Sequence, residues 1–425
     1  MIKVCDSIMG SGKTQAVINH LNTYPLGKYI YISPYLDESS RIKDGCPTLR
    51  FHEPEARREY DHSKLNHTKT LIDLGVNIAS THQAFRSYTP EMLEEITDKG
   101  YTLIVDECIS SVDVYTVDEW DLKMALDAGY IDYDSEDNSY RFVNDVYRGS
   151  NRLLSDMFDT FRTHPSMMAG VTCRGQKKLY YWTLPAELLK AFKDVYILTY
   201  MFDGQGMHNF LKLHGLEYEN IYIEPCGYGT GYRFCDHDGY VPDYVPHIHD
   251  MIEIFDNDRI NCIGDDPYAL SKKWFEGNSG RVEQLRRNMY NVFRNYWKGS
   301  KPDTRMWSTF KHYEESVCGK GFMHNFVPLN MKSTNTFSSA VYLAYACNVF
   351  MNVGEKTLYQ KKGIVPDDDA YALSIMVQWI WRSAIRKGER IHLYLPSSRM
   401  RRILTEWMEK LEGGGVYTEN EKKVS

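Results

Sequence analysis

Two glycines, a lysine and a threonine fall close together in Ser7-Ile8-Met9-Gly10-Ser11-Gly12-Lys13-Thr14. The β-like run Ile2-Lys3-Val4-Cys5 precedes them, and the helical pattern Gln15-Ala16-Val17-Ile18-Asn19-His20-Leu21 follows. Strand, glycine-rich loop, Lys-Thr and helix in that order form the P-loop arrangement. Glycines let backbone N–H groups curl around phosphate oxygens where a side chain would obstruct. The helix N-terminus adds positive potential. Lys13 is then the group that reaches the β- and γ-phosphates, and the Thr14 hydroxyl ligates Mg²⁺. The full pattern opens with a glycine, and here Ser7 takes that place. The expectation is a site for ATP and Mg²⁺ built from Met9, Gly10, Ser11, Gly12, Lys13 and Thr14. The alternative is a glycine turn before a surface helix.

Two further constellations could share that site. The apolar run Tyr101-Thr102-Leu103-Ile104-Val105 ends in Asp106-Glu107. After a P-loop, such an Asp holds the metal and the neighbouring Glu activates the attacking water. A βαβαβ unit of this length can return its strand ends beside the loop. Far along the chain, Gln378, Arg382 and Arg386 stand at i, i+4 and i+8, the spacing of one helix face. Guanidinium groups there could neutralise charge on a transferring phosphoryl group. On spacing alone a solvated basic stripe is the competing reading.

The elements that must carry these residues alternate. Lys28–Ser33, Val76–Thr81 and Tyr101–Glu107 read as strands, with helical patterns between them, so the first part predicts a parallel sheet with right-handed crossovers. Residues 112–190 break the rhythm around the acidic stretch Asp132–Asn138, read as a loop or hairpin flanked by helices. Tyr196–Tyr200 resumes the strand pattern. Residues 211–284, rich in Gly, Tyr, Asp and Pro, read as a connecting or accessory region. A helix is predicted from Val282 to about Trp297, strands at Arg305–Phe310 and Phe326–Leu329, and a helix over Tyr371–Arg386. A strand over Arg390–Leu395 and a helix over Ser397–Leu411 with a serine N-cap close the pattern. The expected division is 1–210 as a first α/β domain with an insertion at about 112–190, then 211–284, then 285–415 as a second α/β domain. Residues 416–425 form a polar tail.

Composition bounds the partners. The chain has 425 residues, 43% hydrophobic and 25% charged, which fits a water-soluble protein of more than one domain. No apolar run is long enough to cross a membrane, and the chain begins in a strand rather than a secretory signal. Nine scattered cysteines contain no CxxC pair, so reduced thiols in a cytoplasm are expected. A net charge of −7 gives no overall pull on nucleic acid. Binding would need local patches, for which Arg281–Arg294 and Arg382–Arg402 are candidates. Cys235, His237, His247 and His249 match no standard metal spacing.

Together the three constellations resemble the superfamily 2 helicases and translocases. Gly10-Ser11-Gly12-Lys13-Thr14 is similar to Walker A, Asp106-Glu107-Cys108-Ile109 to a DExx motif II, and the segment from Gln378 to motif VI. Ser33-Pro34-Tyr35, Ser80-Thr81-His82 and Leu198-Thr199-Tyr200 sit where motifs Ia, Ib and III would. Met306–Phe310 and Leu329–Asn335 take the places of motifs IV and V. The likeness is nearest to helicase-like proteins of phages and to herpesvirus-type origin-binding helicases. It implies two RecA-like domains with ATP in the cleft, Lys13, Asp106, Glu107, Gln378, Arg382 and Arg386 in catalysis, and Thr14 and Asp106 at the metal. It also implies nucleic-acid contacts at Ser33, Pro34, Ser80, Thr81, His82, Asn330, Lys332 and Thr334. Motif VI departs from the pattern, with Trp381 in a glycine's place and Arg386 one position late, so the arginine finger stays open between Arg382 and Arg386.

The leading expectation is an ATP-driven helicase or translocase acting on single-stranded or duplex DNA, with RNA as an alternative track. Its setting would be DNA replication, recombination or repair alongside replication proteins, in a host cytoplasm if viral. A packaging or protein-remodelling motor is the second class. A non-motor nucleotide-binding module such as a kinase is the third, and the second α/β domain argues against it.

Overall fold

The computed structural model describes residues 1–35, 37–135, 139–143, 166–168, 179–227, 231–237, 239–243, 245–329 and 336–413. Its strands, in chain order, are β1 (Ile2–Asp6), β2 (Tyr29–Ser33), β3 (Ile78–Thr81), β4 (Thr102–Asp106), β5 (Val112–Thr116), β6 (Ile131–Asp134), β7 (Ser139–Phe142) and β8 (Ser166–Met168). They continue as β9 (Leu179–Thr183), β10 (Asp194–Thr199), β11 (Tyr218–Pro225), β12 (Tyr232–Cys235), β13 (Ile252–Ile254), β14 (Arg305–Ser308), β15 (Tyr342–Tyr345) and β16 (Ile391–Tyr394).

They form three sheets. The first runs β12-β11-β1-β10-β4-β2-β3, parallel throughout except for the antiparallel edge pair β11–β12. The second, β13-β16-β15-β14, is wholly parallel. The third, β5-β9-β8-β7-β6, is antiparallel and comes from the segment that broke the sequence rhythm. The protein is thus an α/β fold of two parallel-sheet lobes, with an inserted antiparallel sheet in the first.

Parallel strands are covered on both faces and so read as unbroken apolar runs. In β2 all five residues are buried. One face packs the helix Lys13–Thr23, whose Ala16, Val17 and Leu21 join Cys5, Tyr31 and Leu198. The other face, with Val4, Ile32, Val105 and Ile197, packs Leu71 and Ile72 of the helix Lys64–Leu74 and Met92 and Ile96 of the helix Pro90–Lys99. Each such aliphatic side chain contributes about 1.5–3 kcal/mol on burial.

The second lobe is organised by the helix Asp368–Ile380. Asp367 caps it, accepting from the Asp369 and Ala370 N–H groups at 2.9 Å. Its Leu373, Met376, Val377, Trp379 and Ile380 lie in a core that also takes Ile8, Tyr200 and Met201 from the first lobe. The lobes therefore share packing. Gly204 sits so tightly against this helix that a Cβ there would stand 2.4 Å from the Ala370 carbonyl oxygen.

Several sequence expectations change. Residues 211–284 do not form a separate layer: β11 and β12 extend the first sheet, and β13 edges the second. The helix predicted over Tyr371–Arg386 stops at Ile380, and a 3-10 turn, Ala384–Lys387, follows. Ser383 breaks it, with extended backbone and a hydroxyl donated to the Ile380 carbonyl at 2.6 Å. Of Phe326–Leu329 only Phe326 pairs, in one bridge to Trp307. The helix from Val282 starts earlier, as Ser279–Asn291, and widens into a π turn at Val292–Tyr296. Asp132–Asn138 falls in the β6–β7 hairpin, with residues 136–138 outside the described ones.

Candidate nucleotide site between the lobes

Both motif strands of the first lobe end at the same edge of its sheet. β1 runs into the glycine loop, β4 ends at Asp106, and β10 lies between them. Ser7 N–H donates to the Thr199 carbonyl at 3.0 Å, and Glu107 N–H donates to the Leu198 carbonyl at 2.9 Å, so β10 sets the spacing of the two acids from the loop. Gly10 and Gly12 have φ of 84° and 100°, which the loop needs to curl. Gly12 is doubly constrained, because a Cβ there would meet the Tyr232 ring at 2.4 Å.

A cavity of about 560 Å³ opens at this edge. Its walls carry Met9, Gly10, Gly12, Lys13 and Thr14 from the loop, Asp106 and Glu107 from β4, and Gln378, Arg382 and Arg386 from the second lobe. The structure thus brings residues more than 270 positions apart in sequence to one cleft. The loss of the continuous helix alters the route: Gln378 projects from the helix, Arg382 from the turn after it, and Arg386 from the 3-10 segment. Ser11 is buried behind the loop and is not on the wall.

The charges in the cleft are desolvated. Burial pulls the Lys13 ammonium below its usual range, opposed by Cys5, Asp6, Asp106 and Glu107. Lys13 donates to the Ser7 carbonyl and, at 3.1 Å, to that of Ile8. Burial pushes the Asp106 carboxyl up and adjacent Glu107 adds to this, while the Tyr31 hydroxyl, donating at 2.5 Å, and Lys13 pull it back. Arg382 is drawn down to about 10 by burial, with Glu107 opposing, and donates to the Pro328 carbonyl at 3.3 Å. Arg386 is exposed.

The donor set suits a nucleotide with a hard cation. Backbone N–H groups at a helix start, an ammonium and two guanidinium groups can face phosphates. A threonine hydroxyl beside a buried carboxylate is oxygen ligation of the kind Mg²⁺ takes. The volume lies within the range of small-molecule sites.

Sequence reasoning missed Glu38 and Arg41, which line the same cavity from the helix Asp37–Gly45. Their signal was position: a helix opening directly after the carboxyl end of a parallel strand borders the ligand crevice. It also missed Tyr31, whose place on β2 reveals nothing until β4 lies beside it.

The residues expected at nucleic acid are less concentrated. Ser33 is buried and donates to the Tyr35 carbonyl at 2.8 Å, with half-buried Pro34 next to it. Ser80 is buried, and the Thr81 hydroxyl accepts from Ala84 N–H at 3.2 Å. The His82 ring lies 3.0 Å from the Asp106 carbonyl oxygen. Asn330, Lys332 and Thr334 lie outside the described residues. The basic patches are largely compensated: Arg286 and Arg287 both pair with Glu283, and Arg402 pairs with Asp369 and Glu406. Glu224, Cys235 and His237 converge on the β11–β12 hairpin with ligand atoms within 4.8 Å of one another. Arg233 already engages Glu224 at 2.7 Å, which opposes a cation there. His247 and His249 are not in that group.

Known proteins bear on this arrangement. Over 416 residues the chain is 36% identical to the SPbeta prophage-derived uncharacterized protein YonV of Bacillus subtilis (strain 168), covering 96% of this chain and 98% of that one. The chain belongs to the YonV family. Residues 246–408 of this YonV-family chain match the YonV C-terminal Rossmann-like domain, a span that contains the whole second sheet. The chain also aligns with the solved structure of S. tokodaii Xpd4 over 96% of its length and 94% of that chain, at 10% identity and a TM-score of 0.43. No helix among the described residues is long and apolar enough to cross a membrane.

Proposed function

We propose that this protein hydrolyses ATP in the interlobe cleft and uses the resulting opening and closing of its lobes to move along nucleic acid, DNA foremost. The observation that carries the reading is the single cavity walled by Lys13 and Thr14, by Asp106 and Glu107, and by Gln378, Arg382 and Arg386. Both lobes contribute cations to one cleft, Lys13 from the first and Arg382 and Arg386 from the second, so a polyanion bridging them favours the closed arrangement.

In this reading the loop N–H groups and Lys13 hold the phosphates. A divalent cation, whose ligands in this chain would be Thr14 and Asp106, supplies charge neutralisation at the phosphates when bound. Tyr31 keeps the Asp106 carboxylate oriented through its hydroxyl. Glu107 takes the proton from the attacking water. Arg386 meets the charge that develops on the γ-phosphoryl group, and Arg382 steadies the phosphate from its buried position. Gln378 orients groups at the same wall.

The test is the ATP hydrolysis rate with no polynucleotide, with single-stranded DNA, with duplex DNA and with RNA. Stimulation is expected, strongest with single strands, because closure and track binding are reciprocally coupled. Track binding should weaken steeply with salt as phosphate contacts release counterions. A rate indifferent to every polynucleotide, with no salt-sensitive binding, would reject the track and leave a motor acting on protein or in packaging.

A further inference from the structure

Glu107 has a φ of 61°, in the left-handed region that favours glycine. A non-glycine residue held there is strained and persists only where its surroundings over-determine it. The peptide unit joining Asp106 to Glu107 is gripped from both sides. Its carbonyl oxygen faces His82 Nε2 at 3.0 Å, and its N–H donates to the Leu198 carbonyl at 2.9 Å. The two bonds leave opposite edges of one rigid plane. Rotating that plane to relieve φ at Glu107 breaks both.

His82 is well placed to hold its side. It follows β3, whose partner is β2, and β2 in turn pairs with β4. Its ring therefore reaches past the end of one strand to the carboxyl end of the next. The Thr81 hydroxyl accepts from Ala84 N–H at 3.2 Å and fixes the turn in which His82 opens the short helix His82–Phe85. A carbonyl can only accept, so Nε2 carries the proton in this contact. Tyr31 touches the Asp106 carboxylate instead and has no hold on the peptide. The Glu107 side chain reaches the cavity wall from that backbone.

We infer that His82 is a positioning residue for hydrolysis: its Nε2–H bond to the Asp106 carbonyl locks the Asp106–Glu107 peptide and so aims the Glu107 carboxylate into the cleft. The inference rests on the reading of Glu107 as the water-activating base. It gives His82 a task toward the hydrolytic site, whereas the sequence resemblance pointed it toward a strand.

Steady-state ATP hydrolysis by wild type, His82→Ala, His82→Gln, Glu107→Gln and the double variant His82→Ala/Glu107→Gln tests it, with thermal midpoints alongside. His82→Ala should lower kcat roughly 10²-fold, the scale of a small misplacement of a reacting group, with KM for ATP unchanged. His82→Gln, whose amide N–H reaches the same carbonyl, should recover most of the rate. Adding His82→Ala to Glu107→Gln should slow it no further, since the two act as one unit. His82→Asn, whose amide is too short, should behave like the alanine variant and replaces it if alanine unfolds the chain. A truncation with kcat within about twofold of wild type, a loss that Gln does not restore, a rise in KM at constant kcat, or multiplying effects in the double variant would each overturn the inference. Wild type without any nucleotide hydrolysis overturns the underlying reading instead, a result visible before any variant is made.

Discussion

The first sheet has two ends, and they differ in kind. At the carboxyl ends of its strands lies the cleft of about 560 Å³. At the amino ends lies a larger depression of about 940 Å³, bordered by Lys3, His20, Lys28, Asp194, Tyr196 and Glu219. By size the second would be the site. Two of its charges, however, are already paired: Lys3 with Glu219 at 3.7 Å, and Asp194 with the neighbouring Met1 amino group at 3.7 Å. Those pairs are partly exposed and contribute little. In the cleft, half-buried Lys13 and buried Arg382 share a wall with Asp106 and Glu107, and desolvation opposes the charge of both cations and of Asp106. The asymmetry follows from the fold. In a parallel α/β sheet the crossover helices present N-termini at the carboxyl edge and C-termini at the amino edge, so only one edge offers N–H groups to an anion.

Substitutions at the two ends can break or sharpen that contrast. The largest effect is expected from Lys13→Ala, which should abolish ATP hydrolysis by removing the direct positive contact to the phosphates; turnover at the wild-type rate would remove the nucleotide from this cleft. Glu107→Gln should still bind ATP and Mg²⁺, measured by equilibrium titration, yet hydrolyse very slowly. Loss of binding there would give Glu107 a structural role instead. Arg386→Ala and Arg382→Ala should each cut turnover by roughly 10³-fold or more with the fold intact. Normal rates in both would reduce the second-lobe wall to a solvated surface.

A smaller effect comes from a half-buried carboxylate beside a charge of like sign. Glu355, on the helix Val353–Lys361, is pushed up to about 7 by burial and by the Asp113 carboxylate, while the Tyr359 hydroxyl pulls the other way. Arg86 is engaged by Asp113, on the inserted sheet. A carboxyl whose folded-state pKa is raised stabilises the fold at low pH, and that contribution is lost as pH rises toward 7. Glu355→Gln should therefore gain thermal midpoint over wild type between pH 5 and pH 8, on the order of a few degrees. A difference that stays flat with pH would contradict the raised value. The smallest effect belongs to the amino-end depression: Asp194→Ala should leave hydrolysis within about twofold of wild type, as expected for an exposed pair. A large loss there would show that the two ends are not independent.

Local chemistry explains what could be read early. The P-loop is contiguous because a helix N-terminus and its preceding loop are contiguous, so Gly10, Gly12, Lys13 and Thr14 announce themselves in a few residues. Asp106-Glu107 is equally local, as the end of an apolar strand. The 378–386 segment was legible in residue type but not in shape. Its spacing suggested one helix, whereas the helix ends at Ile380 and leaves Arg382 in the turn, and the Ser383 break, with Ala384 N–H donating to the Ala340 carbonyl at 3.0 Å, brings Arg386 to the wall on a 3-10 segment. Glu38 and Arg41 carried no motif at all.

By itself the sequence determined the two α/β units, the loop that curls, the acids that end β4 and the cationic residues available to face them, because these depend on neighbours in the chain. Only the tertiary structure decided that β10 separates loop from acids, that β11 and β12 belong to the first sheet, and that His82 and Tyr31 meet Asp106. Those outcomes depend on strand order and lobe packing, which pair residues far apart in sequence, and no local pattern encodes such pairings.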